Sequence, residues 1–350
     1  MKSLLVYPFG HETVPIVRYC EMLMNYDVIH PVAGGGFSLK GFDASYFDGG
    51  SQVGVKVFTS FEDALTQSDD VLFVSESSDD NKDKRLEYFN LAKSHGKNII
   101  ACESFVKPFE IDLDGCNVLT PTVFNAPVSD KSNLVKIEIP VVLVMGMGIN
   151  CNKFDIQLGL RSSFTRLGYK ISQVGTKEYS SLFGIHTLPK FPNTDLWVKT
   201  ILYNRYFKQI IDNENPDVLI IGIPGGIMPV NEYEYNLFGE TAVAISKSVD
   251  TDISIVSVYH ALNDNELFDN IKLYTRYALG VSADYFHLSN VRLDIDHDNA
   301  VINYLITEGK NAFQGTGDVN EKLFHTFIPE SCRDIYDDLI LKLQDNVPIF

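Results

Sequence analysis

Val141-Val-Leu-Val-Met-Gly146-Met-Gly148-Ile-Asn150-Cys151-Asn152-Lys153-Phe154 is the stretch that decides the fold. From Ile137 to Met145 the chain is apolar except for Glu138 and Pro140, the composition of a strand buried on both faces. Gly146 and Gly148 break that run. From Asn152 onward, Ile156, Leu160, Phe164 and Leu167 recur at i, i+4, i+8 and i+11, one face of a helix that Gly168 stops. Strand, glycine turn and helix in that order make a phosphate-binding loop. Such a loop works because backbone N–H groups at the helix start converge on an anion, aided by the positive end of the helix dipole. A lysine then reaches the outer phosphates and a Ser or Thr hydroxyl holds Mg²⁺. Lys153 stands in the lysine's place, but Asn152 replaces the glycine before it and Phe154 the hydroxyl residue after it. An anion can still dock on the backbone of Gly146, Gly148, Asn150, Cys151 and Asn152, whereas a loop-held magnesium has lost its side-chain ligand.

Downstream, Asp217-Val-Leu-Ile-Ile-Gly222-Ile-Pro224-Gly225-Gly226-Ile227 reads as another buried strand ending in a glycine turn. Together the two segments resemble the dethiobiotin-synthetase-like branch of phosphate-loop NTPases. That pattern has a metal-binding glutamate at the position of Gly222, followed by a Gly-x-Gly-Gly turn. Gly225 and Gly226 match the second and third glycines of that turn, and Ile223 stands at the first. Both magnesium contacts that the resemblance implies are therefore missing from one chain.

A chain of 350 residues, 45% apolar and 12% aromatic, can fill two cores. Lys plus Arg number 29 against 46 Asp plus Glu, a formal charge of −17 spread along the sequence, which argues against nucleic acid and anionic membrane surfaces as partners. A basic peptide or cationic substrate would be steered favourably by the same field. The apolar start at Leu4–Tyr7 is too short for a signal sequence, and no run of about 18 apolar residues follows, so a cytoplasmic protein without a membrane span is expected. Cys20, Cys102, Cys116, Cys151 and Cys332 are scattered and form no Cys-x-x-Cys pair, which suits reduced thiols and gives no zinc signature.

The first half alternates short apolar runs with helical patterns. Leu4–Tyr7, Val28–Pro31, Val55–Phe58, Val71–Val74 and Asn98–Ala101 are expected as strands, with helices over Val14–Met24, Phe61–Gln67 and Asp83–His95. This predicts a Rossmann-like parallel α/β domain over 1–125. Its first strand is followed by Pro8-Phe9-Gly10-His11-Glu12 rather than G-x-G-x-x-G, so no dinucleotide is inferred. The cluster Gly34-Gly35-Gly36 reads as a long connecting loop. Irregular, proline-bearing sequence marks a linker at 126–139. The second domain, 140–350, is a degenerate phosphate-loop NTPase-like α/β domain. Its further strands are expected at Tyr169–Val174, Val218–Ile223, Ile253–Val258 and Tyr285–Leu288, with helices over Trp197–Ile211, Thr241–Ser248, Leu267–Leu279 and Asp334–Leu343 and an edge strand at Val301–Ile306. The fold class is thus two doubly wound parallel-sheet domains.

Ligands of such sheets sit outside the carboxyl ends of the strands. That rule makes Gly175, Thr176, Lys177, His186, Pro224, Gly225, Gly226 and Glu232 candidate cleft residues around the loop, with Glu232 and Glu234 the nearest acids to stand in for a lost metal ligand. Asn290 ends a strand where the dethiobiotin-synthetase-like resemblance implies an adenine contact. After Lys153 as the anion contact, Cys151 beside it at a helix start is a second candidate for chemistry, as a nucleophile without a visible base. His287, Asp294, Asp296, His297 and Asp298 lack a metal-ligand spacing, and no Gly-x-Ser-x-Gly occurs.

Three segments, Leu5-Val-Tyr-Pro-Phe-Gly-His-Glu12, Val144-Met-Gly-Met-Gly-Ile-Asn-Cys-Asn-Lys-Phe-Asp155 and Ile221-Gly-Ile-Pro-Gly-Gly-Ile-Met-Pro229, carry a resemblance over nearly the whole length. It is to the bacterial peptide maturation system proteins found with clusters that make ribosomally synthesised, modified peptides. More distantly the chain is similar to two-domain proteins with a Rossmann-like first half and an intact phosphate loop in the second. The resemblance implies an accessory role, with a precursor peptide or a peptide-modifying enzyme as partner and ATP or another phosphate compound as the candidate ligand. The alternative is an ATP-dependent, ligase-like enzyme with an atypical loop and metal held by Glu232 or Asp217. Whether the chain forms a homo-oligomer is open at this level, and an NAD-dependent oxidoreductase lacks its fingerprint.

Overall fold

Strands apolar along their whole length need cover on both faces, and the chain supplies it twice. The computed structural model describes residues 2–34, 39–75, 81–129, 131–261, 264–314, 319 and 321–346. Gly35 and Gly36 of the expected glycine loop lie outside the described residues. Two units are present, one of Met1–Pro121 with Lys177–Gly184, the other of Thr122–Thr176 with Ile185–Phe350.

In the first unit, β1 (Ser3–Phe9), β2 (Val28–Ala33), β3 (Asp70–Phe73), β4 (Asn98–Cys102) and β5 (Asn117–Leu119) form a parallel sheet in the order β2-β1-β3-β4-β5. Helices α1 (Val14–Arg18), α2 (Phe61–Gln67), α3 (Lys82–Ser94) and α4 (Glu103–Val106) connect the strands. Tyr7, Phe61, Phe73, Phe89 and Phe105 fill one core, each buried ring contributing roughly 1.5–3 kcal/mol. Two expectations fail here. Val55–Phe58 is no strand and makes only the isolated bridges Val32↔Phe58 and Asp43↔Lys56, because the Asp43 carboxylate gathers the N–H groups of Ser45, Val53 and Gly54 into a loop. The helix expected to Met24 stops at Arg18, whose guanidinium forks onto Asp48 through two bonds of 2.7 Å.

In the second unit, β6 (Val141–Gly146), β7 (Ile171–Gly175), β8 (His186–Thr187), β9 (Val218–Gly222), β10 (Ile253–Val258) and β11 (Tyr285–Leu288) precede a separate ribbon, β12 (Val291–Asp296) with β13 (Val301–Ile306), and a short β14 (Leu323–Phe324). The parallel sheet runs β14-β11-β10-β6-β9-β7-β8, with the strand of the degenerate loop at its centre. Helices α5 (Lys153–Arg166), α6 (Leu196–Glu214), α7 (Glu240–Ser246), α8 (Asn265–Tyr274) and α9 (Pro329–Asn346) cover its faces. Ile156, Leu160 and Phe164, the helical stripe read from the sequence, pack with Ile335, Leu339 and Leu343 of α9. Val301–Ile306 is corrected from an edge strand to one arm of the antiparallel ribbon. Its alternating exposure gives it one apolar face, and Tyr304 and Ile306 lie with Leu293 against Met147, Cys151 and Tyr259. Among the described residues, no helix is long and apolar enough to cross a membrane.

The linear division at 125 and 140 differs from these units in two respects. Residues 122–129 and 131–139 belong to the second unit, where the Asn204 amide accepts from Val135 N–H at 2.7 Å and donates to its carbonyl at 2.9 Å. Residues 177–184 leave the second half of the sequence and belong to the first unit.

Candidate functional site

The loop leaving β6 winds through Asn150 and Asn152, both left-handed with φ of 55° and 58°, a conformation asparagine tolerates better than most residues. It delivers Lys153 to the first position of α5. The Lys153 amine contacts the Gly148 carbonyl and donates to the Gly225 carbonyl at 2.5 Å, and it lies 3.8 Å from Cys151 Sγ. The group expected to meet a phosphate is therefore holding two glycine turns of its own chain together. Cys151 is buried, its thiol donating to the Gly148 carbonyl at 3.1 Å, so a nucleophilic role has no access. Tyr259 donates to the Ile149 carbonyl at 2.6 Å and the Ser257 hydroxyl to the Cys151 carbonyl at 2.5 Å, so the loop carbonyls of Gly148, Ile149 and Cys151 are all bonded internally.

Phe154 is buried, an apolar ring in the hydroxyl's position. The place of the family's acid is closed from the same helix. A Cβ added at Gly222 would sit 2.1 Å from the Gln157 amide, so Gln157 fills the space a side chain at 222 would need. Gln157 is fully buried, and its backbone carbonyl accepts from Gln173, which in turn holds Arg161. Sequence reading missed Gln157 because a glutamine on a helix is unremarkable until its tertiary neighbour is known. One polar group points the other way. Asn152 accepts from the Ser289 hydroxyl at 2.6 Å, but its buried Nδ2 has no partner, a defect that costs about 1–3 kcal/mol where nothing compensates.

Around the loop, Gly225 and Gly226, which follow Pro224 in the chain, approach it directly, and Asn236 braces the turn by donating to the carbonyls of Met147 at 3.1 Å and Met228 at 2.8 Å. The remaining candidates are dispersed. Asn290 is a brace, donating to the Thr307 carbonyl at 2.6 Å while its own carbonyl accepts from Thr307 N–H and hydroxyl. Gly175 ends β7, and Thr176 closes that stretch of the second unit. His186 on β8 pairs with Glu214 at 2.6 Å. Burial pushes the Glu214 carboxyl up, but hydrogen bonds from Ser172 and His186 outweigh it and hold the group below the ordinary carboxylate range. Glu232 is exposed and lies 3.7 Å from His297. Among the described residues, no group of three His, Cys, Asp or Glu could hold a metal ion.

Behind the loop are two buried histidines. Thr326 N–H donates to His287 Nε2 at 3.2 Å, so Nδ1 carries the proton and donates to Ser257 at 2.9 Å. Burial, then His325, lowers the His287 pKa well below the ordinary value. His325 donates from Nδ1 to the Leu288 carbonyl at 2.7 Å, its buried Nε2 has no partner, and burial first lowers its pKa to about 4.

Lys177 belongs to the first unit, where its amine pairs with Glu12 at 2.6 Å. Tyr179 donates to the Glu12 carbonyl at 2.5 Å, and Glu178 accepts from Ser104 N–H and hydroxyl at 3.1 and 2.9 Å. These contacts gather residues 177–184 at the carboxyl ends of β1 and β4. The sequence reading used His11 only to exclude a dinucleotide fingerprint, yet the ring is oriented. Its Nδ1 donates to the Phe47 carbonyl at 3.1 Å, and Nε2 has no partner among the described residues. Burial lowers its pKa first, and the Lys177 charge adds to that against the raising bond to Phe47, so the ring is neutral near pH 7 with Nε2 as an acceptor. The signal that could have found it was a His-Glu pair at the end of the first parallel strand.

A crystal structure of a DUF1611 family protein from Anabaena variabilis is similar along 99% of this chain and 100% of its own, with a TM-score of 0.62 and 12% sequence identity, a likeness of fold. A GTPase from Pyrococcus abyssi in its apo form matches 42% of this chain and 66% of its own at 16% identity and a TM-score of 0.25. Chloroplast FtsY from Physcomitrella patens matches 46% and 52% at 13% identity and a TM-score of 0.28. No protein-family model and no curated protein sequence matches the chain.

Proposed function

We propose that this chain is a non-hydrolysing accessory protein in the maturation of a ribosomally synthesised peptide, binding a peptide in place of turning over a nucleotide. The observation that carries the reading is the Lys153 amine, engaged by the carbonyls of Gly148 and Gly225. Two of the three N–H donors of this ammonium are already spent on carbonyls of its own chain, and exchanging either bond for a phosphate gains little. Phe154, and Gln157 in the space beside Gly222, support the same reading, since neither magnesium contact can be remade without repacking. The peptide part rests on the sequence resemblance and on a charge of −17, which favours a basic partner.

The second reading, an ATP-dependent ligase-like enzyme, is favoured by the unpartnered Nδ2 of Asn152, a buried donor at the point where a phosphate loop meets its anion. Calorimetric titration with ATP and ADP, each with and without Mg²⁺, beside Lys153→Ala, separates the two. The accessory reading, which allows a phosphate compound as a structural ligand, expects no binding that depends on both Mg²⁺ and Lys153. Binding that needs both Mg²⁺ and Lys153 would replace it with the enzyme.

A further inference from the structure

Ahead of α7 the chain runs Tyr235-Asn236-Leu237-Phe238-Gly239. Asn236, Leu237 and Phe238 have φ of 47°, 49° and 54°, and Gly239 has 74°. Four successive left-handed residues are rare, because each L side chain is driven against the following carbonyl, and asparagine or glycine normally adopts this conformation singly. For Leu and Phe the conformation is an outlier. It persists because its surroundings fix it. The Asn236 amide donates to two carbonyls, its N–H is taken by Glu234 Oε1 at 3.0 Å, and a Cβ at Gly239 would meet the Ile227 carbonyl at 2.0 Å. That same carbonyl accepts from the Tyr274 hydroxyl at 2.9 Å.

The turn holds large apolar side chains in water. Leu237 is 71% exposed, Phe238 70% and Tyr235 50%, with the two rings 5.5 Å apart. Backbone strain and exposed apolar surface both oppose folding, and apart from the contact between the two rings these side chains lie mostly in water; strain held in this way marks functional surfaces. Its rim is acidic. Residues 228–239 include Glu232 and Glu234 and no Lys or Arg, and the β12–β13 ribbon carries Asp294, Asp296 and Asp298 with Arg292 alone opposing them. Tyr233 and Glu232 join the two stretches through His297, at 3.3 and 3.7 Å.

We propose that the Tyr235–Phe238 turn is the docking surface of this chain for a basic peptide segment carrying a large apolar side chain. The apolar residue packs between Leu237, Phe238 and Tyr235, and lysines or arginines of the peptide meet Glu232, Glu234 and Asp296, whose charge acts on Tyr233. The inference rests on the peptide-binding reading above and adds its surface and the chemistry of the partner. A second copy of the chain would bring its own net negative charge to the acidic rim, which disfavours self-association there.

The test is fluorescence anisotropy with synthetic 15-residue peptides, one set combining Lys and Arg with Leu and Phe, one acidic with the same apolar residues, one basic without them. Wild-type chain is compared with Leu237→Ser/Phe238→Ser and with Leu237→Gly/Phe238→Gly, the latter deleting the side chains while relaxing the backbone, so that it should melt higher than wild type. The expected result is salt-dependent binding of the basic apolar set alone, weakened at least tenfold in both variants. Equal binding to wild type and variants overturns the surface and leaves peptide binding standing. Preference for the acidic set, or indifference to the apolar residues, overturns the assigned chemistry. No binding in any set overturns both this inference and the reading it rests on. A wild-type dimer in light scattering that both variants dissociate would identify the occupant as a second copy and overturn the peptide.

Discussion

Lys153 and His11 both follow the carboxyl end of an interior strand of a parallel sheet, and their reactive atoms meet opposite fates. The lysine lies in a loop whose sequence advertises phosphate binding, yet its amine is bonded to Gly148 and Gly225. The histidine lies in a turn with no fingerprint, yet the bond to Phe47 aims it and leaves Nε2 without a partner among the described residues. A motif reports where a chain can place a ligand group. Availability of that group is set by neighbours distant in sequence, and here the two properties have separated.

The hardest blow to this contrast would be a tolerated acid at 222. Gly222→Glu should destabilise the chain by about 3 kcal/mol or more, since it drives a carboxylate into the buried Gln157 amide, and Gln157→Ala in the same chain should recover part of the loss. Urea denaturation checks this, and a wild-type midpoint for Gly222→Glu would show that the site is open after all.

Acid should separate the regions next. His325 has a folded pKa of about 4 against an ordinary 6.5, so the stability it contributes is complete above about pH 6.5 and is lost as pH falls toward 4. The full effect is on the order of 3 kcal/mol, and His287 adds to it in the same direction. Denaturation midpoints for the chain and His325→Gln at pH 7 and pH 4.5 should converge in acid; a constant gap would contradict the assignment.

Lys153→Ala should cost about 1–3 kcal/mol through the carbonyls it leaves without their donor, whereas His11→Ala, which removes one bond to Phe47, should cost about 1 kcal/mol or less. If Lys153→Ala proves the milder change, the amine is not a strut. The smallest effect is chemical. Diethyl pyrocarbonate at pH 7 should carbethoxylate His11 ahead of the fully buried His287 and His325, and peptide mapping that found the reverse would remove the claim of an open Nε2.

Val141–Met145, Val218–Ile221 and Ile253–Val258 were legible in the sequence because a strand covered on both faces cannot hide its composition. Strands of two or three residues such as β8 and β14 have no period to read, and the β12 arm of the ribbon was masked by alternating aspartates that look like a loop. The degenerate loop showed its shape and its missing hydroxyl. Its closure did not show, because the residues responsible, Gly225 for Lys153 and Gln157 for Gly222, are neighbours only after folding. The left-handed turn at Asn236–Gly239 was equally hidden, since nothing in Leu237 or Phe238 announces a positive φ.

Residues 177–184 carry a consequence for how the molecule comes into being. Glu12 obtains its cation, and the Ser104 N–H its acceptor, only from a segment that leaves the ribosome after β7 of the other unit. The first unit therefore waits, incomplete at the ends of β1 and β4, until about a quarter of the second has been synthesised. A gene cut after Pro121 would yield a sheet lacking the stitch that closes it.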